Sequence, residues 1–151
     1  MSSLHASTTN DPYRMLGYAL KLAQQALRSH LDTELRAIGL TTPQYSVLAG
    51  LELSAGLSNA ELARLAFVTP QTMQAILATL ERASLVERMA HPVNGRIRTT
   101  ELTAAGRSAL RAAHEIVTNA EELTRNAVAP CDPETIGSAL LRIAEAMRCR
   151  V

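Results

Sequence analysis

The chain has 151 residues, a length typical of one globular domain. It has 15 basic and 14 acidic side chains and a formal net charge of +1. Apolar residues make up 47% of it but aromatic residues only 3%, so the core must be aliphatic, a composition that favours helices. The charge balance excludes a strongly basic or acidic protein, and no apolar stretch has the length of a membrane span. The first eleven residues have no basic start and no apolar run, so we expect a cytoplasmic protein without a signal peptide.

Charge is distributed unevenly along the chain. Residues 60–111 carry seven Arg and four Glu, a balance of +3, whereas the remainder carries eight basic and ten acidic groups, a balance of −2. This pattern indicates one face that meets an anion. The two cysteines, Cys131 and Cys149, have no metal-ligand spacing and are expected to be reduced thiols.

The first half of the chain has the pattern of a long helix followed by a shorter one. Apolar residues recur every three or four positions from Pro12 to near Ile38, which predicts an amphipathic helix that Gly39 ends. The second helix is expected to have Thr42 as its N-cap and Pro43 at its first position.

Two capping signals introduce two more short helices. Ser58 and Glu61 have the spacing of a capping box and predict a helix that continues to about Ala66. Thr69 then caps a further helix, which has Pro70 at its first position.

After Ser84 the pattern changes to that of strands. The segments "LVERMA" (85–90) and "RIRTTEL" (96–102) are strand-like. They are joined through Asn94-Gly95, a dipeptide that is favoured in tight hairpin turns.

Two long helices complete the chain, the first capped by Thr103 and the second by Asp132. The order predicts a mainly α protein with a small two- or three-stranded β wing, which is the winged helix-turn-helix layout. Both terminal regions carry apolar stripes longer than this small unit could cover, so we expect them to pair across a two-fold axis in a dimer. The expected regions are a flexible N-terminus (1–11), a helical dimerisation region (12–38 and 107–151) and a winged helix-turn-helix domain (39–106).

The helix within "VTPQTMQAILATL" (68–80) has an outer face without charge. In a helix-turn-helix, this second helix lies in the major groove, where amides pair with adenine and methyl groups contact thymine. Gln71, Gln74 and Ala75 fit that chemistry, and Thr69 and Thr72 stand where a helix N-terminus would hold a phosphate. The alternative is a surface helix of an alanine-rich protein that happens to lack charge.

The hairpin predicts a second DNA contact. Arg88, Arg96 and Arg98 flank a narrow turn tipped by Asn94, and such a loop can enter the electronegative minor groove. The alternative is a solvated hairpin that uses arginine to protect its edges, since two nearby glutamates partly offset the charge.

Residues 39–106 resemble the MarR family of bacterial transcription regulators. Four passages carry the resemblance: "GLTTPQYSVLAGL", "SNAELARLAFVTPQTMQAILATLERASLVER", "HPVNGRIRTTELT" and "AAG". The resemblance implies a homodimer, usually a repressor, whose winged motifs bind double-stranded DNA at a palindromic operator. The DNA-contacting positions that it implies are Thr69, Pro70, Gln71, Thr72, Gln74 and Ala75 on the recognition helix, and Arg96 on the wing.

The chain departs from the family pattern at two places. Many members have Asp-Arg-Arg at the wing tip, where this chain has Asn94-Gly95-Arg96, so a weaker minor-groove contact is expected. The glycine that usually follows the recognition helix is Ser84 here, which puts a left-handed helix cap in doubt.

The resemblance also implies a small aromatic or phenolic effector. Its candidate lining residues are His30, Tyr45, Arg111 and His114, on helices expected to converge. The alternative is that each histidine is a partly buried structural residue. A zinc site from His30, Glu34 and His114 lacks paired-ligand spacing.

Redox sensing, catalysis and cofactor binding have little support. Cys131 lies beside a helix start that favours thiolate, but Asp132 opposes this effect. No nucleophile stands next to a base and no glycine-rich phosphate loop occurs, so we expect neither an enzyme nor a cofactor. The remaining alternative to a DNA-binding regulator is a winged-helix module that binds another protein.

Overall fold

Helices form most of the described chain. The computed structural model describes residues 11–90 and 98–148, without the side chains of residues 90 and 98. Within these ranges, six α-helices and one two-stranded sheet follow a short 3-10 helix at Pro12–Arg14: α1 (Leu16–Ala37), α2 (Thr42–Leu53), α3 (Asn59–Leu65), α4 (Pro70–Arg82), β1 (Val86–Ala90), β2 (Arg98–Leu102), α5 (Ala104–Ala127) and α6 (Pro133–Arg148). This architecture confirms the predicted mainly α fold with a small sheet.

Local capping explains where most helices begin. Ser58 and Glu61 form the predicted capping box at α3, with the Ser58 N–H donating to the Glu61 carboxylate at 2.8 Å. The Ser58 hydroxyl donates to the same carboxylate at 2.7 Å, and this bond together with that of the N–H lowers the pKa of Glu61. Thr69 and Thr103 accept from backbone N–H groups at the starts of α4 and α5, as predicted. Asp132 likewise accepts from the N–H of Thr135 at 2.8 Å.

Two predicted helix starts were wrong. The residue that caps α2 is Thr41, not Thr42, because the Gln44 side chain accepts the Thr41 N–H and completes a capping box there. The Thr42 hydroxyl instead donates to Asp32 on α1. The first helix starts at Leu16 rather than near Pro12, because the extended backbone at Met15 separates it from the 3-10 turn.

The aliphatic core joins α1 and α5 to the central unit. Fully buried side chains come from α1 (Leu35), α2 (Leu48), α3 (Leu62), α4 (Met73) and α5 (Leu110). Val86 pairs with Leu102 across the antiparallel sheet, and both are buried against this core. The sheet is therefore held against α4 and α5.

The outer parts of the terminal helices are not covered by the rest of the chain. α6 has no buried residue, and α1 has one, Leu35. A groove of about 540 Å³ runs between α1, α5 and α6, with walls that are mostly apolar. We call this the terminal groove; its lining includes Leu20, Leu27, Leu123 and Leu140. No helix in the described ranges has both the length and the apolar character needed to cross a bilayer.

The turn after α4 is left-handed even though its residue is serine. Ser84 has φ 57°, the Leu85 N–H donates to the Leu80 carbonyl, and the Ser84 N–H donates to that of Glu81. These bonds form a Schellman motif, so the doubt about a left-handed cap at this position was wrong. The Thr103 hydroxyl holds the conformation by donating to the Ser84 carbonyl at 2.6 Å.

Replacing Ser84 by glycine should stabilise the fold. The left-handed conformation costs an L-residue roughly 1–2 kcal/mol, a cost that glycine avoids. Part of this gain is offset because glycine has more conformational entropy than serine in the unfolded chain. We expect Ser84→Gly to raise the free energy of unfolding by about 0.5–1 kcal/mol, measured by urea denaturation. Ser84→Ala is the matched control, because it keeps the penalty. Equal stability of the two variants would contradict this account.

Candidate DNA-binding surface

The outer face of α4 is uncharged from Pro70 to Thr79. On the inner face, Met73, Leu77 and Leu80 are buried in the core. This anchoring leaves the intervening side chains exposed: Gln71, Thr72, Gln74, Ala75, Ala78 and Thr79. The face thus presents amides, hydroxyls and methyl groups to solvent.

The first turn of α4 is closed by two threonines. The Thr69 hydroxyl accepts from the Thr72 N–H at 3.1 Å and lies 2.9 Å from the Thr72 hydroxyl. Pro70 has no N–H to donate. In this first turn, the N–H of Gln71 therefore has no acceptor among the described residues.

The start of α4 is also tied to α3. The Asn59 side chain donates to the Pro70 carbonyl at 3.2 Å. Between the two helices, Phe67 has φ 54° and is 96% exposed. Its neighbour Val68 donates to the Ala63 carbonyl, so α3 also ends in a Schellman motif. Sequence reasoning missed this turn, because phenylalanine is unusual at positive φ and gives no local signal for it.

The predicted wing is described only at its base. Asn94 and Arg96 lie outside the described residues, and Arg98 is described only as backbone of β2. Arg88 lies on β1, where its side chain is 24% exposed and its Nε is 3.8 Å from a carboxylate oxygen of Glu81 on α4. This arginine therefore lies against α4.

The four predicted effector residues do not form one cluster. The rings of Tyr45 and His114 meet edge-on with centroids 5.7 Å apart, and His114 Nδ1 is 4.0 Å from Glu52. Burial, together with the Glu52 charge, raises the pKa of Tyr45. His30 lines the terminal groove instead, and Arg111 is exposed on α5. The described part of the chain holds no group of three potential metal ligands.

A cleft that sequence reasoning missed lies between α1, α2 and the Phe67 turn. It has a volume of about 280 Å³ and is lined by Gln24, Leu27, Arg28, Leu31, Thr42, Pro43, Ser46, Ala66, Phe67 and Val68. Asp32 holds Arg28 at 3.7 Å and accepts from the Thr42 hydroxyl. The cleft thus combines apolar walls, two hydroxyls and one cation.

Comparison with known proteins agrees with this geometry. The model of the MarR family matches residues 38–97. The HTH-type transcriptional repressor Rv2887 of Mycobacterium tuberculosis is 42% identical over 106 residues, which are 70% of this chain and 76% of the relative. The chain belongs to the MarR family.

Solved MarR-family structures share the architecture of this chain. The transcriptional repressor CouR, bound to a 23-mer DNA duplex, superposes with a TM-score of 0.80 at 27% identity, covering 92% of this chain and 99% of that one. Rv2887 of M. tuberculosis, in complex with salicylic acid, has a TM-score of 0.67 at 35% identity, covering 88% and 96%. Family membership confirms the resemblance inferred from residues 39–106.

Proposed function

We propose that this MarR-family protein is a homodimeric, sequence-specific DNA-binding transcription regulator, a repressor that a small-molecule effector releases. The observation that carries the proposal is the exposed, uncharged face of α4, anchored from behind by Met73 and Leu77. A solvated helix face normally carries charge, whereas amides, hydroxyls and methyl groups are among the groups that read adenine and thymine edges in the major groove. The DNA-bound CouR structure, of the same fold, supports this use of the surface.

Each exposed group has a role on the duplex. Gln71 and Gln74 pair with base edges in the major groove, and the Ala75 methyl contacts thymine. Thr69, Pro70 and Thr72 form the first turn, which approaches a phosphate with the free Gln71 N–H. Residues Asn94, Arg96 and Arg98 of the wing approach the minor groove, with Arg88 at the base of the hairpin.

A DNA titration tests the proposal. A labelled duplex from upstream of the protein's own gene is titrated by fluorescence anisotropy over a range of salt concentrations, with a scrambled duplex as control. Specific binding that weakens steeply with salt is expected, because phosphate contacts release counterions. Absence of binding at low salt would instead support the alternative, a winged-helix module that binds another protein.

Truncating the two glutamines should relax base preference. Gln71→Ala and Gln74→Ala are each expected to weaken operator binding by about 1–3 kcal/mol, because bidentate amide contacts discriminate between bases. Gln25→Ala, at an exposed site on α1, is the matched control. Equal losses on the operator and on a random duplex would contradict direct readout.

We place the effector in the cleft between α1 and the Phe67 turn. A volume of about 280 Å³ is large enough for an aromatic acid with one ring. Arg28 can form an ion pair with the carboxylate of such an acid, and the hydroxyls of Thr42 and Ser46 can accept a hydrogen bond from its phenolic hydroxyl. The salicylic acid complex of Rv2887 supports this ligand class. Because the cleft borders the turn that leads into α4, an occupant could shift the recognition helix.

An effector titration distinguishes this cleft from a site at Tyr45 and His114, two of the four effector residues predicted from the sequence. Salicylate is added to the protein–operator complex, and release of DNA is followed by anisotropy. Arg28→Met should raise the salicylate concentration needed for half release by about tenfold, since a charge-assisted bond is lost. His114→Gln serves as the comparison, because His114 adjoins Tyr45. An effect of His114→Gln alone would move the effector to the Tyr45 and His114 pair.

A further inference from the structure

A small polar cavity separates the recognition helix from the sheet. It has a volume of about 150 Å³ and is lined by Leu57, Asn59, Gln74, Leu77, Arg88 and Thr100. Two lining atoms, Oδ1 of Asn59 and Nε of Arg88, are buried without a hydrogen-bond partner in the described part of the chain. One of these atoms is an acceptor and the other a donor, so water bound between them would satisfy both. The cavity is both polar and large enough to hold ordered water.

The side of α4 that faces Arg88 includes a residue proposed to read bases. Gln74, Leu77 and Glu81 recur at i, i+3 and i+7, so they lie along one side of the helix. Arg88 faces this side of α4, because its Nε is 3.8 Å from Glu81 and both Arg88 and Gln74 line the cavity. In the strand pair, Arg88 is opposite Thr100, which is buried.

We propose that Arg88 is a positioning residue for base recognition, which sets the orientation of Gln74 from inside the protein through the cavity and the Glu81 ion pair. This inference rests on the proposed DNA-binding function. It differs from the sequence-based expectation that Arg88 contacts DNA directly. A buried Nε and a side chain that is mostly covered favour the internal role.

The two roles predict different dependences on salt. A phosphate contact contributes close to one unit to the slope of log affinity against log salt concentration, equally for all sequences. A positioning residue leaves that slope unchanged and alters only the preference among bases. Arg96→Met, on the proposed wing, supplies the comparison for a lost phosphate contact.

The test measures wild-type, Arg88→Met and Arg88→Lys proteins on the operator and on duplexes substituted at the base that Gln74 reads. We expect Arg88→Met to reduce discrimination at that base about fivefold to tenfold with the salt slope unchanged. Arg88→Lys should resemble it, because lysine keeps the charge but lacks Nε. In a Gln74→Ala background, Arg88→Met should have no further effect on discrimination.

The inference would be overturned if the slope of log affinity against log salt concentration fell by about one unit in Arg88→Met and was restored in Arg88→Lys. Arg88 would then be a phosphate contact. Glu81→Gln, which removes the ion-pair partner from α4, provides a second variant if Arg88→Met does not fold. It should reduce discrimination in the same direction, and unchanged discrimination would count against the inference. If the wild-type protein fails to prefer the operator, the proposed function itself fails.

Discussion

Gly106→Ala is expected to lower the free energy of unfolding by about 3–5 kcal/mol, because the added methyl group would overlap with the backbone of a neighbouring segment. A Cβ atom at position 106 would lie 1.9 Å from the carbonyl oxygen of Leu85 and 2.9 Å from its carbonyl carbon. Both atoms belong to the backbone, so no side chain can rotate away. Instead, α5 has to move as a unit.

The displacement of α5 would break a group of hydrogen bonds. Thr103 donates its N–H to the Leu85 carbonyl at 3.1 Å and its hydroxyl to the Ser84 carbonyl at 2.6 Å. The Gly106 N–H donates to Thr103 Oγ1 at 2.9 Å within the first turn of α5, so Thr103 would move together with the helix. The first turn of α5 is therefore bonded to the turn that ends the recognition helix. Losing this contact adds about 0.5–1.5 kcal/mol per bond to the overpacking.

Thermal and urea denaturation measure the effect. The expected loss is a large part of the about 5–15 kcal/mol that stabilises a single domain. We therefore expect Tm to fall by roughly 10 °C or more. Gly137→Ala is the matched control, because a Cβ atom there meets nothing within 4 Å in the chain and alanine is the better helix former. If the two variants were equally stable, the close approach of α5 to Leu85 would be refuted.

Capping motifs are the part of the fold that the sequence predicts best, because each uses residues within one turn of one another. The capping box of Ser58 with Glu61, and the Thr69 cap followed by Pro70, are correct for this reason. The cap of α2 was equally readable from local sequence, since Thr41 and Gln44 have the spacing of the capping box that the structure shows. The contact between the Thr42 hydroxyl and Asp32 on α1, by contrast, joins two helices and has no local signature.

The left-handed turns could not be predicted from local preference. Phenylalanine and serine are unusual at positive φ. At Ser84, the conformation is held by Thr103, a residue nineteen positions away. The same long-range dependence applies to the site: the outer face of α4 follows from periodicity, whereas the burial of Arg88 depends on how β1 packs on α4. The cleft beside Phe67 is likewise formed by segments distant in sequence.

Leu123→Asp should convert the proposed dimer into a monomer. Leu123 lies on α5 in the terminal groove and is 60% exposed in the single chain. With Leu20 and Leu27 of α1 and Leu140 of α6, it forms an apolar surface that the chain does not cover. A carboxylate on that surface would have to lose its hydration when a second copy packs there, a cost that the aliphatic side chains around it do not offset.

The change in assembly should appear in both mass and DNA binding. Light scattering coupled to size exclusion is expected to give the mass of one chain for Leu123→Asp and two for the wild type. Because linked half-sites bind with an avidity gain of about 10²–10⁴, affinity for the palindromic operator should fall roughly 100-fold or more. Affinity for a single half-site should stay unchanged, since α4 lies elsewhere in the fold.

Leu53→Asp makes the same chemical change outside the terminal groove, at the end of α2, where the side chain is 87% exposed. It should leave the mass and the operator affinity as in the wild type. A wild-type protein with the mass of one chain would contradict the proposed dimer. A dimeric Leu123→Asp protein would show instead that the two copies meet through another surface, leaving the terminal groove exposed. Mass therefore tests the interface, and the ratio of operator to half-site affinity tests whether DNA recognition depends on it.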